Sequence, residues 1–201
     1  MKKILLFVAL LLIGGQTALA QVMEDDFESN QFGWTESVGK RGIAVLREGR
    51  LHLESKGKEI VSACYAPFST DKPFVLTVEA LAKKIDDDRS FGIVLDYEDD
   101  QNYMRFFISE GEAVLEVIRD GVDRPVRIKR EALKLRGGKK VGVEFEVDYN
   151  LKELEFKVNG VKALSFQRRL AEGEFLLGTS GIGFFANGGQ VIDFDNLKII
   201  Q

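Results

Sequence analysis

Two-residue alternation constrains this chain more than any other feature. Residues 91–109 read FGIVLDYEDDQNYMRFFIS, and residues 181–200 read GIGFFANGGQVIDFDNLKII. Apolar side chains that recur at every second position line one face of a strand, whereas a helix repeats them every three or four. The acidic turn between the two halves of the first stretch, and Gly188-Gly189 in the second, make each of them a hairpin. The same period predicts strands at 42–47, 50–55, 59–67, 74–84, 102–109 and 112–119, and again at 139–148, 153–158, 161–166 and 190–199. Asn159-Gly160 supplies the positive backbone angles of a two-residue hairpin, and Asp120-Gly121 and Gly137-Gly138 mark further turns. One helical turn is expected near Arg168–Glu172. A dozen short strands without a repeat or Pro-rich linker predict an all-β sandwich of two antiparallel sheets.

The N-terminus follows a different pattern. Lys2 and Lys3 precede an unbroken apolar run at 4–13, and the segment ends in Ala18-Leu19-Ala20. A positive start, a short apolar core and a small-x-small end form a cleavable export signal, cut after Ala20. Ten apolar residues fall short of the roughly 20 needed to span a bilayer, and no later run is long enough. The expected organisation is therefore a leader at 1–20 and a single domain at 21–201, located in the periplasm or secreted. No cysteine follows the cut site, which argues against a lipid anchor. The net charge is −4 with the leader and more negative without its two lysines. That balance disfavours nucleic acid, whose phosphates need a basic surface.

The motifs together resemble the concanavalin A-like lectin/glucanase jelly-roll domains, and among them the bacterial 3-keto-disaccharide hydrolase family. The resemblance rests on Asp25-Asp26-Phe27 with Gly33-Trp34, the 91–109 hairpin, the LEFKVNGVKAL hairpin and the closing strands. It implies a jelly roll, but this fold carries enzymes, sugar binders and inert modules alike.

Catalytic chemistry finds few partners in the sequence. His52 is the only histidine and alternates with leucines, so it is expected on the polar side of its strand beside Arg50 and Glu54. A G-x-S-x-G elbow is missing, and the G-x-G-x-x-A string at 181–186 lies in a strand rather than before a helix. Cys64 is the single cysteine, so it forms no internal disulfide and is read as a small buried hydrophobe. Glycosidases use paired carboxylates, and Glu144, Glu146 and Asp148 share one face of a strand. The E-x-D-x-x-E strand of jelly-roll glucanases is incomplete here, because Leu151 stands where the second glutamate belongs. An acidic stripe backed by apolar residues is more often simply solvated.

Two further groups are candidates for binding. Jelly rolls pair their first and last strands, which would bring Asp25 and Asp26 near Asp193 and Asp195 as oxygen ligands for a structural calcium; no other cofactor is expected. The alternative is that Asp195-Asn196 caps its strand. Sugars stack on aromatic faces and hydrogen-bond to adjoining polar groups. Tyr97, Tyr103 and Arg105 form the best such set, with Phe107 on the same face as Tyr103 and Arg105, and Trp34 is a possible platform in its Gln-Phe-Gly-Trp loop. These aromatics could equally be core. The basic run at 124–140 reads as solvated edge decoration or as a preference for anionic glycans. The favoured expectation is a monomeric, non-catalytic exported module that binds a glycan or another cell-envelope ligand on its concave sheet. A glycoside-active hydrolase or lyase, and a structural module without a small-molecule site, stay open.

Overall fold

The computed structural model describes residues 22–83, 89–109, 111–129, 135, 141–171 and 173–201, with backbone alone at 124–129. The expected export leader, the expected Gly137-Gly138 turn and the side chains of the basic run lie outside the described residues. The strands in chain order begin with β1 (Val22–Asp25), β2 (Ser37–Val38), β3 (Gly42–Arg47), β4 (Arg50–Ser55) and β5 (Ile60–Tyr65). Next come β6 (Phe74–Ala82), β7 (Ser90–Asp99), β8 (Asn102–Ser109), β9 (Glu112–Arg119) and β10 (Val122–Lys129). The last five are β11 (Val141–Tyr149), β12 (Glu153–Val158), β13 (Val161–Gln167), β14 (Gly181–Asn187) and β15 (Val191–Ile200). The described residues contain no helix, so the helical turn expected near residue 170 is not formed where the chain is described. None of them forms a helix long and apolar enough to cross a membrane.

These strands make two antiparallel sheets, as the alternation predicts. One has nine strands in the order β13-β12-β11-β6-β15-β4-β3-β2, with β1 added against β15. The other has six, in the order β10-β9-β8-β7-β14-β5. Hairpins account for most local neighbours, but β14 and β15 do not form the hairpin expected across Gly188-Gly189: they enter different sheets, each between strands distant in sequence. Between the sheets lies a dry core in which Phe184 of β14 stacks on Phe194 of β15 at 4.4 Å and on Trp34 at 5.3 Å. Phe106 of β8 meets Phe156 of β12 at 4.4 Å. Cys64 is buried in this core, and burial pushes its thiol up to about 12, which leaves it unreactive at neutral pH.

Two irregularities position side chains that matter below. β15 shifts register against β6 between Asp195 and Lys198, where Asn196 takes a positive φ of 53°. Asp195-Asn196 is thus a mid-strand bulge at which β15 changes partner from β4 to β1. The second bulge lies at the end of β7, between Leu95 and Asp99. Asp96 there has φ 53°, and its buried carboxylate accepts the Gly178 N–H at 2.7 Å, the Thr179 N–H at 2.9 Å and Arg119 at 3.1 Å. Simple alternation from Leu95 would turn Tyr97 inward. The extra residue re-aims it outward.

Candidate functional site

The outer face of the six-stranded sheet is not the solvated surface that an open sandwich presents. Register places Val114, Phe107, Gly92, Phe185 and Val61 in one row across β9, β8, β7, β14 and β5. The next row is Glu116, Arg105, Val94, Gly183 and Ala63. Val94, Tyr103, Phe107, Val114, Ile118 and Phe185 form a second buried cluster separate from the main core, with Val61 and Tyr97 packed against it. A sheet face buries such residues by curling over them or by carrying a covering segment.

Arg105 marks the centre of that curl and is only 7% exposed. Its Nε donates to Glu116 at 2.8 Å, its Nη2 to Asp123 at 3.2 Å, and its Nη1 to Glu59. The guanidinium carbon lies 5.3 Å from the ring centroids of both Phe107 and Phe185, within cation–π range. Tyr103 donates its hydroxyl to the other oxygen of Glu59. Glu59 directly precedes β5, which three inter-strand spacings, about 14 Å on a flat sheet, separate from β8. Direct contact between Glu59 and the β8 side chains therefore shows that this face is concave. Alternation puts Tyr103, Arg105 and Phe107 together as expected, and the β7 bulge adds Tyr97, whose ring lies 6.1 Å from that of Tyr103.

Beside this cluster a cavity of about 370 Å³ opens between the 37–42 segment and the start of β8. Its polar lining includes Thr35, Ser37, Lys40, Arg41, Glu59, Asp100 and Tyr103. The Tyr97 hydroxyl donates to Asp100 at 2.9 Å. Burial first, then the hydrogen bond to Asp100, raise the Tyr97 pKa above the ordinary phenol value. Burial likewise raises that of Tyr103, assisted by the negative charges of Asp123 and Asp100. Both phenols stay neutral through the physiological range and can donate to or accept from a hydroxyl-rich ligand.

The remaining expected residues lie elsewhere. Trp34 is core rather than a platform: it is 2% exposed, its ring packs on Phe27 and Phe184, and its Nε1 donates to Asp25 at 2.7 Å. The four aspartates do not converge on a calcium site. β1 and β15 do pair, but in a register that sets Asp25 opposite Leu197, so Asp193 and Asp195 lie further back along β15. Asp25 is committed to Trp34 and the Phe27 N–H, Asp195 to Arg50 at 3.4 Å, and Asp193 to His52 at 2.6 Å. No group of three or more His, Cys, Asp or Glu among the described residues is placed to hold a metal.

His52 is on the outward, polar face of β4 as expected, and is buried there. Since a carboxylate only accepts, its Nδ1 donates to Asp193, and Arg47 Nη2 lies 3.0 Å from Nε2. That hydrogen bond holds the Asp193 carboxyl below the usual carboxylate range. Glu144 stands opposite Glu79, and both line a groove of about 290 Å³ with Arg50, Asp193 and Asp195. Glu146 is ion-paired to Lys157 at 2.6 Å, and Asp148 lies opposite Val75. These acids occupy the outer face of the nine-stranded sheet, on the opposite side of the sandwich from Arg105.

Sequence reasoning missed Glu59, Glu116 and Asp123. Glu116 alternates with Val114 and Ile118 on a strand adjacent to Arg105, so its place was readable from the hairpin. Glu59 arrives through sheet curvature, for which the sequence carries no local signal.

Known structures share this architecture. The carbohydrate-binding module CBM66 from Bacillus subtilis superposes with a TM-score of 0.58 at 11% identity, covering 84% of this chain and 96% of that one. The catalytic domain of an endo-1,3-β-glucanase (laminarinase) from Thermotoga petrophila RKU-1 gives 0.60 at 10% identity, covering 90% and 98%. A Bacillus subtilis protein of unknown function with a galectin-like fold gives 0.57 at 11% identity, covering 88% and 94%. No protein-family model and no curated protein matches the sequence. At these identities the likeness establishes the fold: a jelly-roll sandwich of the kind found in carbohydrate-binding modules and glycoside hydrolases.

Proposed function

We propose that this protein is an exported, non-catalytic carbohydrate-binding module that takes a saccharide in the cleft on the concave six-stranded sheet. The observation that carries the reading is the Tyr103–Glu59–Arg105 cluster with its adjoining cavity. A sheet face built only for stability would be apolar there, because burying an ion pair is often no better than packing hydrophobic residues of equal volume. This face instead holds a cation, three carboxylates and two neutral phenols, donors and acceptors suited to sugar hydroxyls, and of these Glu59 and Tyr103 line the polar cavity. Export is supported by the Lys2-Lys3 start, the apolar run and Ala18-Leu19-Ala20.

A hydrolase of the 3-keto-disaccharide type is the second reading, favoured by the presence of Glu59 and Glu116 in one cleft. Working carboxylate pairs flank an open space that admits the scissile bond. Here the Arg105 guanidinium fills the space between the two acids, which supports binding over turnover. Titration calorimetry of the mature protein against neutral and acidic oligosaccharides tests the proposal, alongside an assay for product release. The expected result is saturable binding, at least tenfold weaker in Tyr103→Phe, without turnover. Turnover that disappears in Glu59→Gln would establish the hydrolase instead.

A further inference from the structure

We infer that Tyr65 is the stacking platform of a second saccharide subsite, so that the ligand is a neutral oligosaccharide running from the cleft across β14 to β5. The inference rests on the carbohydrate-binding reading of the cleft and extends it. Tyr65 is 62% exposed, against 39% for Phe175, the next most exposed aromatic among the described residues. Its hydroxyl donates to the Glu98 carbonyl at 3.0 Å, and its backbone is paired to Gly181 in β14. The ring is thus pinned at both ends with its face left to solvent. A side chain serving only to solvate an edge strand would be free to move and would more often be charged.

The surroundings give this ring a direction. Tyr65 lies opposite Gly181, where a Cβ would collide with the Tyr97 carbonyl oxygen. Gly181 leaves bare backbone there, and the Tyr65 ring reaches across it to the Glu98 carbonyl beside Tyr97. Tyr97 then leads directly to Tyr103. A saccharide chain presents alternating C–H faces and hydroxyl edges, so one unit can stack on Tyr65 while another reaches the polar cavity. The backbone at this edge is already engaged: the Ala63 carbonyl accepts the Thr35 N–H at 3.0 Å and the Thr35 hydroxyl at 3.1 Å. That occupancy favours recognition by the side chain over addition of a partner strand. Exposed Glu98, Asp99 and Asp100 follow Tyr97 beside this ring, and their charge selects neutral over acidic sugars.

Titration calorimetry with neutral gluco-oligosaccharides of one to six units, and with oligogalacturonate as the acidic control, tests the inference on wild type, Tyr65→Ala and Tyr65→Phe. The prediction is that Tyr65→Ala weakens binding of the longer oligosaccharides at least tenfold, leaves the monosaccharide and the melting temperature unchanged, and is largely rescued by Tyr65→Phe. Equal affinity of wild type and Tyr65→Ala for every chain length would overturn the subsite while leaving the cleft reading intact. Tighter binding of oligogalacturonate would overturn the charge selection. If wild type binds none of these saccharides, the cleft reading falls and the subsite falls with it.

Discussion

A guanidinium that is 7% exposed persists in a fold only while its carboxylates surround it. Removing one partner of a buried ion pair costs about 3–5 kcal/mol, because the charge left behind is uncompensated. Arg105→Ala should therefore lose about that much stability in urea denaturation, with Glu59 and Glu116 left facing one another. A change under about 1 kcal/mol would mean that water already screens the cluster. Trp34 gives the converse test. Trp34→Phe keeps the ring contacts but strips Asp25 of a donor, an unmet buried group that costs about 1–3 kcal/mol. Saccharide affinity should not change, and a fall in affinity at constant stability would restore Trp34 as a ligand platform. The identity of Tyr103 and Arg105 as a pair was legible from alternation alone. Trp34 was misplaced because a Gly-Trp loop reads the same whether its ring folds into the core or stands out from it.

At the scale of elements, hairpins were the legible part. The 91–109 stretch forms β7 and β8 as its alternation requires, and Asn159 and Gly160 take the positive φ angles, 51° and 72°, that the turn needs. β10 escaped notice because Pro125 and its charged neighbours break the period. It survives as an edge strand with a bulge between Pro125 and Arg127, where a missing N–H is tolerated. Bulges were also invisible, since an inserted residue looks like a lapse in alternation. The one at Asp96 decides that Tyr97 belongs to the cleft. Gly181→Ala should push the Tyr97 backbone away from β14, lowering the melting temperature and weakening saccharide binding together. Loss of stability with affinity intact would separate Tyr97 from the site.

The whole molecule is a sandwich whose two outer faces differ in chemistry. Its pH limits follow from buried groups. Cys64, at about 12 in the fold, ionises first in the unfolded chain, where thiols titrate near 8.5–9. The unfolded state then holds fewer protons, so stability is intact below that range and falls as pH rises toward 12. Cys64→Ala should flatten this alkaline limb in melting temperatures taken from pH 8 to 11. On the acid side, Asp193 is depressed by its bond from His52. Its contribution is present above the ordinary aspartate pKa of about 3.9 and is lost as pH falls through the lower folded value. Asp193→Asn should remove that part of the acid limb. An unchanged profile would show that His52 is held by Arg47 alone.

The carboxylates on the nine-stranded sheet and the Tyr97–Tyr103–Arg105 cleft on the six-stranded sheet face opposite directions, so a bound ligand must declare which surface is used. Amide chemical-shift mapping of the mature protein titrated with a neutral oligosaccharide reads this directly. The prediction is a continuous patch of shifts over β5, β8 and residues 37–42. Shifts centred on Glu79, Glu144 and Asp195 instead, or none at saturating sugar, would contradict it.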